Sequence, residues 1–152
     1  MSTPSERIWA AQETDADDDL RAHLTEQPPP RPETLANVAA RVRTGVPLRS
    51  AVADFLDDLR WARDRPDVDR RIVDAPSTVD EHVDAYLAAL AEHVASRNDI
   101  PVPQWAVTPD RFLDHFWWPS RTRALRARAL VESPAAFRRR GIFIGATTLA
   151  RV

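Results

Sequence analysis

The sequence predicts a mainly α fold: a single helical domain over residues 33–152 behind an acidic, proline-rich segment at 1–32. Three observations predict it. Apolar residues recur at three- and four-residue spacing through several runs. Prolines and capping residues sit at the edges of those runs. The strand-like run Ile142-Phe143-Ile144 allows at most one short strand or hairpin near 142–149. A chain of 152 residues also matches the ~100–150 residues of a typical domain.

The elements follow in order. Asp15, Asp17, Asp18 and Asp19 repel one another, and Pro28-Pro29-Pro30-Arg31-Pro32 favours an extended polyproline conformation. A flexible segment ending in a stiff spacer is therefore expected, with a short helix around Leu20 and Leu24 and Trp9 as anchor the alternative. A helix then starts near Pro32 or Glu33, carries Leu35, Val38 and Val42, and stops at Thr44-Gly45. After Val46-Pro47 a second helix presents Leu48, Val52, Phe55, Leu56 and Leu59, with Arg63-Asp64-Arg65-Pro66 closing it. Val68 and Ile72 mark one further helical turn. The best-defined helix covers 78–97, where Thr78 and Glu81 have capping-box spacing. Val79, Val83, Leu87, Leu90 and Val94 line one face of it, and Asn98 is the expected left-handed stop. At ~100° per residue, His82, Tyr86 and His93 form a second stripe at the core boundary.

Beyond residue 100 the character changes. Pro101, Pro103 and Pro109 interrupt regular structure, and three of five tryptophans and four of five phenylalanines lie past residue 104. A short helix is expected from Pro109 to about His115. A longer one follows Pro119 as far as Glu132, carrying Arg121, Arg123, Arg126 and Arg128. Ser133-Pro134 then reads as cap and first-turn proline of a short helix ended by Gly141.

Composition narrows the chemistry. The chain has no cysteine, three glycines and no lysine, all 21 basic residues being arginine. That excludes a disulfide framework, thiol catalysis and cysteine-ligated zinc. The net charge of −2 hides a gradient: −5 over residues 1–30, −3 over 31–100 and +6 over 101–152. Opposed ends of this kind pair internally or present a polar partner surface. No apolar run approaches the ~20 residues of a membrane span. The amino end lacks the basic-then-apolar pattern of a secretory signal, so a cytoplasmic location is expected.

Catalytic patterns are absent from the sequence. There is no Gly-x-Ser-x-Gly elbow and no Walker or Rossmann glycine pattern, and Ser120 and Ser133 read as helix caps. His23, His82, His93 and His115 include no His-x-x-x-His pair, so neither metal nor cofactor is expected, and the protein reads as noncatalytic. Asp54 and Asp58 share a helical face that is best read as solvated. A helix-turn-helix across Thr44-Gly45-Val46-Pro47 would carry Asp54, Asp57 and Asp58 into a phosphate-lined groove, which is electrostatically wrong. The residues suited to a partner are Trp105, Trp117, Trp118, Arg121, Arg138, Arg139 and Arg140. Tryptophan and arginine are the enriched types at interface hot spots, although the same residues also suit core packing or unstacked nucleic acid.

One set of runs carries a resemblance. They are Asp84-Ala85-Tyr86-Leu87-Ala88-Ala89-Leu90-Ala91-Glu92-His93, Pro103-Gln104-Trp105-Ala106, Arg111-Phe112-Leu113 and Phe116-Trp117-Trp118. Ser133-Pro134-Ala135-Ala136-Phe137-Arg138-Arg139-Arg140-Gly141-Ile142-Phe143-Ile144 is the most specific, and Ala40–Gly45 leading to Ala51–Leu56 the loosest. These resemble small, poorly characterised proteins of high-GC bacteria, encoded beside minimal nucleotidyltransferase-like proteins in toxin–antitoxin-like pairs. The resemblance implies an antitoxin-like protein that binds and restrains a nucleotidyltransferase-like toxin. In that setting the basic carboxyl end is expected to mask the partner's active cleft, with Asp15–Asp19 mimicking nucleic acid as a variant mechanism. A nucleic-acid-binding transcriptional regulator is the alternative, and oligomeric state is left open.

Overall fold

The computed structural model describes residues 31–150, which form a mainly helical domain; the expectations for residues 1–30 lie outside the described residues. Six α-helices occur there: α1 (Leu35–Arg43), α2 (Leu48–Leu59), α3 (Arg65–Ile72), α4 (Glu81–Asn98), α5 (Arg123–Glu132) and α6 (Ala135–Arg138). Among the described residues there is no strand. The backbone of Trp117 makes an isolated parallel bridge with Ile142 instead.

Helix α4 is the axis. Its residues Val83 to Ala91 are all buried, as are Val94 and Ala95. The one-sided apolar face expected here is too narrow, because a helix enclosed on every side needs no polar stripe. Ala85, Ala88, Ala89, Ala91 and Ala95 are fully buried, and their small side chains let α1, α3 and α6 come close. Tyr86 of the expected boundary stripe is buried, whereas His82 and His93 are half-buried.

The helix ends are set by short polar side chains. Thr34 Oγ1 accepts from the Asn37 amide at 3.2 Å to start α1, and Gly45 ends it at φ +104°. The Asp64 carboxylate accepts from the Asp67 amide at 2.9 Å to start α3. For α4 the cap is Asp80, not Thr78: its carboxylate accepts from the Val83 amide at 2.9 Å, while Asp84 reaches back to the Val79 amide at 2.9 Å. Acidic caps oppose the positive end of the helix dipole. At the far end Asn98 stays helical, and Asp99 takes the left-handed turn at φ +52°.

Three further expectations are corrected. The single turn at Val68 and Ile72 is a full eight-residue helix, α3. It was hidden because Asp67 and Arg71, polar in sequence, are buried in it. Asp58 is not solvated: it pairs with Arg71 and accepts from the Glu33 amide at 2.7 Å, tying the start of α1 to α2 and α3. Asp54 of the same face is exposed and binds Arg41 at 2.6 Å. The expected helix at 109–115 is instead a single 3₁₀ turn, Pro109–Arg111, preceded by another at Gln104–Val107. The chain beyond Phe112 stays non-helical because its backbone is tied to 140–143. Leu113 donates to the Arg140 carbonyl at 3.3 Å, Trp117 to that of Gly141 at 2.8 Å, and Phe143 to that of Trp117 at 3.0 Å.

Candidate functional site

The carboxyl-terminal third divides into a buried anchor and an exposed arm. In the anchor, Phe137 of α6 is fully buried, with Tyr86 edge-on at 5.1 Å and His93 at 6.3 Å. Ser133 is buried, and its hydroxyl donates to the Ile142 carbonyl at 3.1 Å and accepts from the Ile144 amide at 3.3 Å. It therefore bolts the α5–α6 junction to the 142–144 segment instead of capping α6. Ser120 accepts weakly from the Thr122 amide at 3.4 Å, and Thr122 itself precedes α5 without a side-chain cap bond.

Arg140 was expected at the partner surface and is fully buried. Its guanidinium donates to Glu92 at 2.5 Å, the Ala136 carbonyl at 2.8 Å and the Ala106 carbonyl at 2.6 Å. The Phe112 ring lies 4.5 Å from it. Burial pulls its pKa down and Glu92 pulls it back. Arg140 is a structural tie, because its guanidinium is fully buried and spends Nη1 and Nη2 on three internal acceptors, with Nε enclosed and unpaired. Trp105 is likewise committed, donating to the Ile72 carbonyl at 3.0 Å and lying against Arg111. Trp117 packs on His82 at 4.6 Å and Tyr86 at 6.3 Å.

The arm is α5. Of its ten residues only Ala129 is buried. Leu125, Leu130 and Val131 are exposed at 49%, 50% and 81%, and Phe116 at 70%. Arg121, Arg123, Arg126 and Arg128 are exposed along the same stretch. Trp118 stacks on Phe143 at 5.1 Å beside Phe116, with Arg126 lying 6.0 Å over its ring. The arm is fastened at its carboxyl end, where Glu132 accepts from Arg128 at 2.9 Å and from the Ala146 amide at 3.0 Å. Those bonds hold the Glu132 carboxyl below the usual range. Of the sequence-derived partner residues, then, Trp118 and Arg121 lie with the arm. Arg138 and Arg139 are exposed on the neighbouring turn, where Arg139 pairs with Glu92 at 3.3 Å.

A second cluster was missed in the sequence. His82, on the first turn of α4, and His115 meet with their Nε2 atoms 3.0 Å apart. Glu81 joins them, and the three donor atoms lie within 4.8 Å of one another. They are 33 residues apart in sequence, so helical spacing carries no sign of the pair.

No protein-family model matches this chain, and no curated protein or solved structure matches it significantly. The fold and surface define a small all-helical domain with a basic, apolar-dotted helix on its outside.

Proposed function

We propose that this chain is a noncatalytic partner-binding protein, the restraining member of a toxin–antitoxin-like pair, and that it docks through α5. The observation that carries the reading is the exposure of that helix. A ten-residue helix is marginal in water without packing, yet α5 buries one residue and leaves Leu125, Leu130 and Val131 in solvent. The occupant it fits is an acidic protein surface with an apolar centre: arginines supply the charged rim and the three aliphatic side chains the dry contact. An acidic, metal-binding active cleft of a nucleotidyltransferase-like protein has that character, and blocking it would restrain the enzyme sterically and electrostatically.

Arg140 is no part of this surface. Its burial also weakens the rival reading as a nucleic-acid-binding regulator, because the Arg138-Arg139-Arg140 triplet is not a continuous phosphate-binding face. Co-expression with the neighbouring gene product and size-exclusion chromatography test the proposal. A single co-eluting peak is expected, and Leu130→Asp with Val131→Asp should split it. Two separate peaks for the unaltered pair at micromolar concentration would overturn the reading.

A further inference from the structure

We propose that His82, His115 and Glu81 form a binding site for a divalent transition-metal ion of the zinc class, with Asp114 orienting one ligand from behind. The site is independent of the docking helix.

The two histidines decide the chemistry. Ring nitrogens 3.0 Å apart can share a proton or converge on a cation. His115 Nδ1 lies 2.7 Å from Asp114 Oδ1. A carboxylate only accepts, so Nδ1 carries the hydrogen and Nε2 is left with a lone pair directed at His82. With His82 in the tautomer that carries its hydrogen on Nδ1, the two Nε2 lone pairs face one point and both rings stay neutral. At Zn–N distances of ~2.0–2.1 Å, nitrogens at this separation subtend about 95° at the ion, and opening them by a few tenths of an ångström reaches the tetrahedral angle. Glu81 supplies the third ligand atom. Two imidazoles and one carboxylate suit zinc and its neighbours, and fit magnesium or calcium poorly.

The scaffold holds this arrangement from both sides. Glu81 and His82 are the first two residues of α4, whose start is fixed by Asp80. The His82 ring is covered by Trp117 at 4.6 Å. His115 sits in the 113–117 segment, which is tied to 140–143 by the backbone bonds of Leu113 and Trp117. Gly141 allows that approach: a Cβ there would lie 2.6 Å from the His115 carbonyl oxygen. The Asp114–His115 pair reproduces the carboxylate–histidine support that raises ligand basicity at metal sites. Glu81 and Asp114 bring two negative charges to neutral imidazoles, matching a divalent ion. Three protein ligands leave a fourth position facing solvent, so the ion would carry water or an outside ligand there.

Calorimetry of the untagged full chain with Zn²⁺, with Co²⁺ absorption as a reporter of geometry, tests the site. One ion per chain is expected. His82→Ala and His115→Ala should each weaken binding at least ~100-fold, and Asp114→Asn about 10-fold. His23→Ala and His93→Gln should leave it unchanged. His115 is largely exposed, so its variant keeps the test valid even where loss of His82 disturbs the fold. Absence of saturable Zn²⁺ binding below about 100 μM, or binding that survives His115→Ala unaltered, overturns the proposal.

Discussion

The buried guanidinium of Arg140 and the carboxylate of Glu92, 48 residues apart in the chain, lie 2.5 Å from each other. Glu92 stands on the central helix and Arg140 two residues beyond the end of α6, so the pair ties the carboxyl-terminal segment to the central helix. Glu92 also meets Arg139 at 3.3 Å, which places one carboxylate between a buried and an exposed arginine.

Removing one member of such a pair strands the other charge. Arg140→Met is expected to destabilise the domain by about 3–5 kcal/mol, and Glu92→Gln to act in the same direction with smaller effect, since solvent reaches Glu92. Urea denaturation followed by helical circular dichroism measures both. A loss below about 1 kcal/mol for Arg140→Met would mean the guanidinium is not the tie described.

Two glycines with positive φ should separate strain from collision. Gly45→Ala, at φ +104° with open space around it, carries only the backbone penalty of about 1–2 kcal/mol. Gly141→Ala carries a comparable penalty and also drives a methyl to 2.6 Å from the His115 carbonyl. It should cost more than Gly45→Ala, and should weaken Zn²⁺ binding as well if the 113–117 segment moves. Equal losses in both denaturation curves would show that the segment yields freely.

The helices α1, α2 and α4 were legible in the sequence because their apolar spacing is a local feature, with Gly45 and Pro47 marking the α1–α2 boundary. The α3 helix was not, since its pairing of Arg71 with Asp58 spans 13 residues and makes charged residues behave as core. Arginine and tryptophan clustering marks the carboxyl-terminal third, but composition cannot say which guanidinium faces inward, and Arg140 faces inward. The His82–His115 pair left no local trace at all.

The single tyrosine offers a clean titration. Burial raises the Tyr86 hydroxyl to about 12, from an ordinary value near 10. Above pH 10 the unfolded chain gives up that proton first, so stability falls as pH rises from about 10 to about 12, by roughly 3 kcal/mol in total. Phenolate absorbance should therefore appear late, or together with loss of helicity. Ionisation near pH 10 with the helical signal intact would contradict the burial of Tyr86.

His93 works at the acid end. Burial, assisted by the charge of Arg97, lowers its pKa below the usual imidazole value. The unfolded chain then takes up a proton first as pH falls, so this contribution to stability is present above about pH 6.5 and fades as pH drops through the folded pKa. A proton NMR titration of the ring should give a midpoint below about 6.5. A midpoint at or above that value refutes the shift.

The exposed arm should be the least protected helix. Backbone amides of α5 are expected to exchange with solvent well before those of α4, and to slow on addition of a partner that docks there as proposed. Leu130→Asp should change stability by no more than about 0.5 kcal/mol, as surface changes usually do. Hydrogen exchange by mass spectrometry reads the first expectation and a thermal melt the second; protection of α5 equal to that of α4 would mean the arm is already packed.

Among the described residues, three buried arginines stand apart from the exposed ones in how far lysine could replace them. Arg140 serves one carboxylate and two carbonyls, Arg111 donates to the Pro76 carbonyl beside Asp84, and Arg71 binds Asp58. A planar, five-donor group can do this and a single ammonium cannot. Lysine should be tolerated at the exposed Arg121 and Arg123. At positions 71, 111 and 140 the same exchange would leave buried acceptors unmatched, so there the arginine belongs to the fold and not to the surface.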